Sequence, residues 1–218
     1  MLSANRRGYE QLPCKHCSIN GAKMGRRSDH SRAELTMMIL IEGHRQMSEL
    51  GYAHFSAREV AKRIGYSIGT IYNVFGTHDQ LILAFNGRTL DLWQDHLLTR
   101  LAGVVDGRLK AAIDAYFEFA IINRHAWTAL YDFRLADGLE MPDFYQQKVR
   151  DITAIVVEEI AAALPPHRTH EAATLAPSLL AAVHGHCFFT LNGTFALMGE
   201  DDPIGAAYAR VREAVDRA

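Results

Sequence analysis

The chain has 218 residues, 49% of them hydrophobic and 22% charged, enough to bury a substantial core; this excludes a disordered chain and leaves room for one small and one larger helical unit. No apolar run approaches the ~18 residues of a membrane span and no signal-peptide core opens the chain, so a cytoplasmic protein with no membrane partner is expected. The net charge of −2 hides a segregation of sign: residues 1–76 carry 11 Lys+Arg against 6 Asp+Glu, whereas residues 77–218 carry 12 against 19. A basic front on an acidic body is what duplex binding by one end predicts, because phosphate attraction supplies most non-specific affinity.

In chain order, residues 1–28 show no apolar period and hold Gly8, Pro13, Gly21 and Gly25, so they are expected to form a flexible N-terminal arm. Cys14-Lys15-His16-Cys17 invites a metal, yet a structural zinc needs four ligands and the remaining cysteine, Cys187, is far away; no metal is expected. Asp29 or Ser31 can cap the first helix. Arg26, Arg27 and Arg32 are candidate contacts to a phosphate backbone or minor groove.

Ser56-Ala57-Arg58-Glu59 reads as a capping box, with the Ser56 hydroxyl accepting from the Glu59 amide and the Glu59 carboxylate returning to the Ser56 amide. Val60, Ala61 and Ile64 then make one apolar stripe, and Gly65 supplies the stop. Ser67 caps the next helix, in which Ile68, Ile71, Val74 and Phe75 recur at three- and four-residue spacing and are expected to face inward. Gly69, Thr70 and Asn73 fall on the outer face, where smallness permits deep entry into a major groove and Asn can pair bidentately with adenine. Tyr72 lies beside them, suited to a phosphate. Gly69 costs the first turn about 0.5–1 kcal/mol relative to Ala, a cost that close approach to another molecule would explain. Thr77-His78-Asp79-Gln80 is a second capping box, and the amides and His78 at that helix start can approach a phosphate. Two short helices, a tight turn and a following long helix make the layout of a helix-turn-helix DNA reader.

From about Ser31 to Ala84 the residues resemble the DNA-binding half of the TetR/AcrR family of bacterial transcriptional regulators. The likeness lies in Gly51 and Phe55, the VAKRIGYS segment, the TIYNVF of the reading helix and the capped D-Q-L after it. Family members usually carry Lys where this chain has His78, which makes that phosphate contact weaker and dependent on pH. The resemblance implies DNA contacts from Arg32, Ser56, Arg58, Ser67, Ile68, Gly69, Thr70, Tyr72, Asn73 and His78. It also implies an all-α chain divided into residues 29–77, the helix-turn-helix domain, and 78–218, a helical bundle for ligand binding and dimerisation.

The body reads as further helices over Asp79 to about Leu101, Gly107 to Arg124, Ala126 to Leu135, Pro142 to Leu164, Thr169 to Met198 with a kink at Pro177, and Pro203 to Arg217, about nine in the chain. The helix from Thr77 is the one expected rigid link between reader and body. Ala181 to Phe195, AAVHGHCFFTLNGTF, is similar to the C-terminal domain of one TetR branch with a His-Gly pair, here His184-Gly185. His184 can meet a ligand or satisfy a buried carbonyl, and the sequence leaves both open. Candidate ligand-binding residues are Trp93, His96, Phe117, Trp127, Tyr131, His184, Phe188 and Asn192, around an apolar pocket with few polar groups.

The expectation is a ligand-responsive repressor that binds palindromic double-stranded operator DNA as a homodimer through its last two long helices and is released by a small hydrophobic effector. The alternative is a helical enzyme using His184, His186 or Cys187. No H-E-x-x-H, P-loop or G-x-S-x-G motif is present, so no catalytic residue and no cofactor is assigned.

Overall fold

The computed structural model describes residues 30–136 and 138–217. The arm, the Cys14–Cys17 motif, Arg26, Arg27 and Asp29 lie outside the described residues. Those residues form ten α-helices and two short 3-10 turns, with no strand among them. The first helix, α1 (Arg32–Leu50), starts at a complete capping box, Ser31 with Glu34, and stops where Gly51 turns to φ +79. A 3-10 turn, Tyr52–His54, leads to α2 (Ala57–Arg63).

Only half of the capping box expected before α2 forms. The Glu59 amide donates to Ser56 Oγ at 3.4 Å, but the Ser56 amide donates to Gln46 Oε1 at 2.7 Å, and Glu59 instead faces Lys62 at 3.8 Å. Gln46 is almost fully buried on α1, so its amide ties the start of α2 to α1 as well as satisfying an orphan donor. Ser67 caps α3 (Ile68–Phe75) by accepting from the Thr70 amide, and Thr77 with Gln80 closes a full box at α4 (His78–Leu101). Within α3, Ile71 is fully buried and Val74 and Phe75 half-buried, whereas Ile68 is exposed, contrary to the inward face expected of it.

The body comprises α5 (Arg108–Ile122), α6 (Arg124–Asp132), α7 (Asp143–Ala163), α8 (Ala172–Leu191), α9 (Thr194–Met198) and α10 (Pro203–Val215). The helix expected over Thr169 to Met198 is broken at Asn192-Gly193 rather than bent at Pro177, which stays inside α8. Gly193 adopts φ +76, a conformation no right-handed helix contains, so α9 is a separate short turn and the other nine helices of the described residues match the expected number. The helical run Pro166–Leu191 is long and apolar enough, by length and composition alone, to cross a bilayer. That departs from the expectation of no run near such a length, and in the fold this helix packs against α10 and α7.

Two cores result. The first joins Ile39, Val60, Ile71, Leu81 and Phe85 of α1 to α4 with Ala129 and Phe133 from the end of α6; the second centres on Trp93, Leu97, Phe117, Ile160, Val183 and Val211. The first turns of α4 therefore pack with the reader and its remainder with the body. Gly43 on α1 lies so close to α4 that a Cβ there would have three carbons of the Phe85 ring within 2.8 Å.

The α1–α4 contact also buries His44, whose Nε2 lies 3.1 Å from Thr89 Oγ1, while the Thr89 hydroxyl donates to Phe85 O at 3.3 Å. Burial, with the Arg88 cation adding to it, lowers the His44 pKa to about 4. The unfolded chain takes up this proton near 6.5, so the contribution of neutral His44 is complete above pH 6.5 and lost as pH falls towards 4. Between pH 7 and pH 5 the loss is about 2 kcal/mol. Urea unfolding at both values checks it: His44→Asn should remove that part of the pH dependence, and an unchanged difference would place the titration elsewhere.

Candidate functional site

The surface of α3 is built by its caps. Ser67 Oγ lies 3.1 Å from the Thr70 amide and 2.9 Å from the Thr70 hydroxyl, which fixes the first turn and holds that hydroxyl at the surface. Gly69 and Asn73 are exposed on the same side, one turn apart, and Thr70 is half-buried between them. A Cβ at Gly69 would meet only Ser67 Oγ, at 3.6 Å, so packing within the chain does not demand glycine there.

Tyr72 leans its ring on the reader core, and Ile68 stands exposed beside the polar strip. Arg32 donates to Val74 O at 3.1 Å, placing a cation at the C-terminal end of α3. His78 is exposed in the first turn of α4 with its ring 6.1 Å from that of Phe55, and Ser56 and Arg58 sit at the start of α2.

The charge of this surface differs from the one read off the sequence. Arg45 is paired to Glu42 and Glu49, Arg63 to Glu42 at 3.1 Å, and Lys62 to Glu59. Arg58 is exposed and has no acidic partner among the described residues. Most of the positive excess of the front half belongs to residues 1–29, with six Lys+Arg against two Asp+Glu.

In the body, α4, α5, α6, α7 and α8 line two adjoining, half-open compartments, of about 220 Å³ and about 330 Å³. Trp93, Tyr116, Trp127 and Tyr145 line the inner one, Pro177, Ala181 and His184 the outer, and Tyr131, Thr153, Val156 and Leu180 line both. Tyr116 Oη lies 2.9 Å from His184 Nδ1 and 3.4 Å from Tyr131 Oη, and the rings of Tyr131 and His184 stack with centroids 4.1 Å apart. Burial drives the Tyr116 hydroxyl far above its ordinary pKa, with Tyr131 adding to the shift, and burial lowers that of His184. The group is therefore uncharged at neutral pH.

Of the residues expected to bind a ligand, Trp93, Trp127, Tyr131 and His184 are brought together on these walls. Phe117, His96, Phe188 and Asn192 line neither compartment. Phe117 is fully buried in the core, His96 Nε2 faces Glu118 at 3.5 Å, Phe188 is 46% exposed on α8, and Asn192 caps the end of that helix. Tyr116, the neighbour of Phe117 on α5, lines the inner compartment instead. A hydroxyl in an otherwise apolar stripe was the available signal, because a buried tyrosine oxygen needs a partner.

Of the residues offered for the enzyme alternative, Cys187 is fully buried and burial pushes its thiol pKa up to about 12, so it stays protonated and a poor nucleophile. His186 Nδ1 is taken by Ala182 O of its own helix at 2.7 Å. Among the described residues no group of His, Cys, Asp and Glu is placed to hold a metal.

Reader and body are joined by more than α4. Trp127 and Tyr131 of α6 wall the cavity while Ala129 and Phe133, on its other side, sit in the reader core. Asn86 Nδ2 donates to Ala129 O at 3.3 Å, and His125 Nδ1 lies 3.0 Å from Glu49 O at the end of α1. The helix from Thr77 is thus one of two links between reader and body, α6 being the other.

Residues 39–85 match the family described as bacterial regulatory proteins, tetR family, and residues 109–215 the tetracyclin repressor-like C-terminal domain. No curated protein matches the chain. The fold is similar to the crystal structure of SCO4313, a candidate regulatory protein, at 21% identity and TM-score 0.66, over 85% of this chain and 97% of that one. It is similar also to a protein of unknown function from Rhodococcus sp. RHA1, at 18% identity and TM-score 0.70, over 88% of this chain and all of the other. At such identities the two structures speak for the fold alone, whereas the matched segments cover both the reader and the body, and on them the chain belongs to the TetR family of DNA-binding transcriptional regulators.

Proposed function

We propose that this regulator is a cytoplasmic repressor that binds a palindromic operator as a homodimer and is released when a small hydrophobic effector enters the cavity of the body. The observation that carries the reading is α6, one face of which walls the cavity while the other packs into the reader core. A ligand that shifts Trp127 or Tyr131 must then disturb the seat of α1 and α4, and with it the spacing of two reading helices. A differential affinity of about 1–3 kcal/mol between the two spacings suffices to release DNA. In this reading residues 29–77 carry recognition, with Thr70 and Asn73 on bases, Tyr72, Arg58, Ser56 and His78 on phosphates, and residues 78–218 carry effector and partner.

The dimer is proposed to form through α8 and α10, which pack on each other and leave Phe188 and Phe189 46% and 39% exposed. A two-fold dimer buries the same patch on both subunits and presents two copies of α3 about one helical turn of DNA, or a multiple of it, apart. Operator selection from random duplexes with the full chain should return a two-fold symmetric site with that spacing. Light scattering at micromolar concentration should give about twice 24.4 kDa. A monomer, or a site without symmetry, would overturn the dimeric reading.

A further inference from the structure

Resting on the reading of the body as an effector domain, we propose that the cavity selects an uncharged ligand whose apolar body carries one group able both to donate and to accept a hydrogen bond, a hydroxyl or an amide, and that it rejects carboxylates. The inner compartment is walled by Trp93, Trp127, Val156 and Leu180, which suits an aromatic or alkyl body. No Asp, Glu, Lys or Arg lines either compartment, so a bound charge would find no charged partner on their walls.

The polar end is set by the chain Tyr131–Tyr116–His184. If Tyr116 donates to His184 Nδ1, the neutral imidazole carries its proton on Nε2, Tyr131 donates to Tyr116, and the Tyr131 oxygen keeps its lone pairs for a ligand. If Nδ1–H donates to Tyr116 instead, Nε2 becomes an acceptor, Tyr116 donates to Tyr131, and Tyr131 turns its own proton outward. Either way the two ends, Tyr131 Oη and His184 Nε2, offer one donor and one acceptor. At 3.4 Å the Tyr116–Tyr131 contact is long for an O–H···O bond, so Tyr131 is the loosely held member, open to a better partner. A hydroxyl or amide answers donor and acceptor together. An ether or a carboxylate accepts but donates nothing, and so leaves the acceptor of the pair unanswered.

Three para-substituted probes separate these cases: butylphenol, butylanisole and butylbenzoate. Trp93 and Trp127 are the two tryptophans of the chain and both line the inner compartment, so indole fluorescence of the DNA-free protein reads occupancy, with calorimetry as the second measure. Butylphenol should bind about five- to tenfold more tightly than butylanisole, as one additional hydrogen bond implies. Butylbenzoate should bind more weakly than either. Tyr131→Phe should bring butylphenol down to the affinity of butylanisole, with thermal unfolding confirming that the variant folds.

Equal binding of butylphenol and butylanisole, binding of butylbenzoate as tight as that of butylphenol, or binding of none of the three would overturn the proposal. Operator selection is read without any ligand, so failure of the probes and failure of the regulator reading are distinguishable.

Discussion

Gly43→Ala should destabilise the protein by about 2–3 kcal/mol, against the gain of up to ~1 kcal/mol that the same exchange brings to an ordinary helix interior. The reason is the ring of Phe85. A methyl group at residue 43 would overlap three of its carbons, and Phe85 is fully buried in the reader core with no room to retreat. Either the ring leaves its place beside Phe55, 5.3 Å away between centroids, or α1 lifts off α4. Thermal unfolding should show a fall of about 5–10 °C for a chain of this size. Shrinking the ring tests the cause: in Gly43→Ala with Phe85→Leu the two costs should fall short of their sum by about 1 kcal/mol or more. Additive costs would mean that the ring is not what the methyl meets.

This contact also marks where reading the sequence stops. Caps at Ser31, Ser67 and Thr77 were legible because both partners lie within four residues, and a short-range pattern fixes the geometry. The helix-turn-helix layout and the outward strip of Gly69, Thr70 and Asn73 follow from the same local signals. The bond from the Ser56 amide to Gln46 spans ten residues and crosses from one helix to another, so the nearby Glu59 took its place in the reading. Gly43 against Phe85 and Ala129 in the reader core are longer-range still, and no periodicity announces them.

Register within α5 was the second blind spot. Tyr116 and Phe117 are neighbours pointing about a quarter-turn apart, and hydrophobicity does not say which faces the cavity. The position of α6 decides it, a tertiary fact. Likewise the break at Gly193 competes with a visible proline at 177, and only the φ of Gly193 resolves which one ends the helix. Charge misled in a different way: the count over residues 1–76 is correct, but three of the reader's five described cations are spent on neighbouring carboxylates.

That distribution of charge shapes what substitutions on the reader should do. Asn73→Ala is expected to cost about 1–3 kcal/mol on the preferred operator and to relax preference at one position in each half-site, because Asn73 is exposed one turn after Gly69 and free to pair with a base edge. Tyr72→Phe should behave otherwise. Its ring packs on the reader core and keeps its place, so only a hydroxyl contact to phosphate is lost and all sequences weaken alike. Arg58→Ala should also weaken all sequences, and in addition lower the salt slope by about two, one for each half-site, because a cation releases a counterion where a hydroxyl does not. Binding isotherms on the selected operator, on a half-site variant and on random duplex, each at two salt concentrations, separate the three outcomes. Wild-type affinity and specificity in Asn73→Ala would remove α3 from base recognition, and an unchanged salt slope in Arg58→Ala would move the phosphate contacts away from α2 towards residues 1–29.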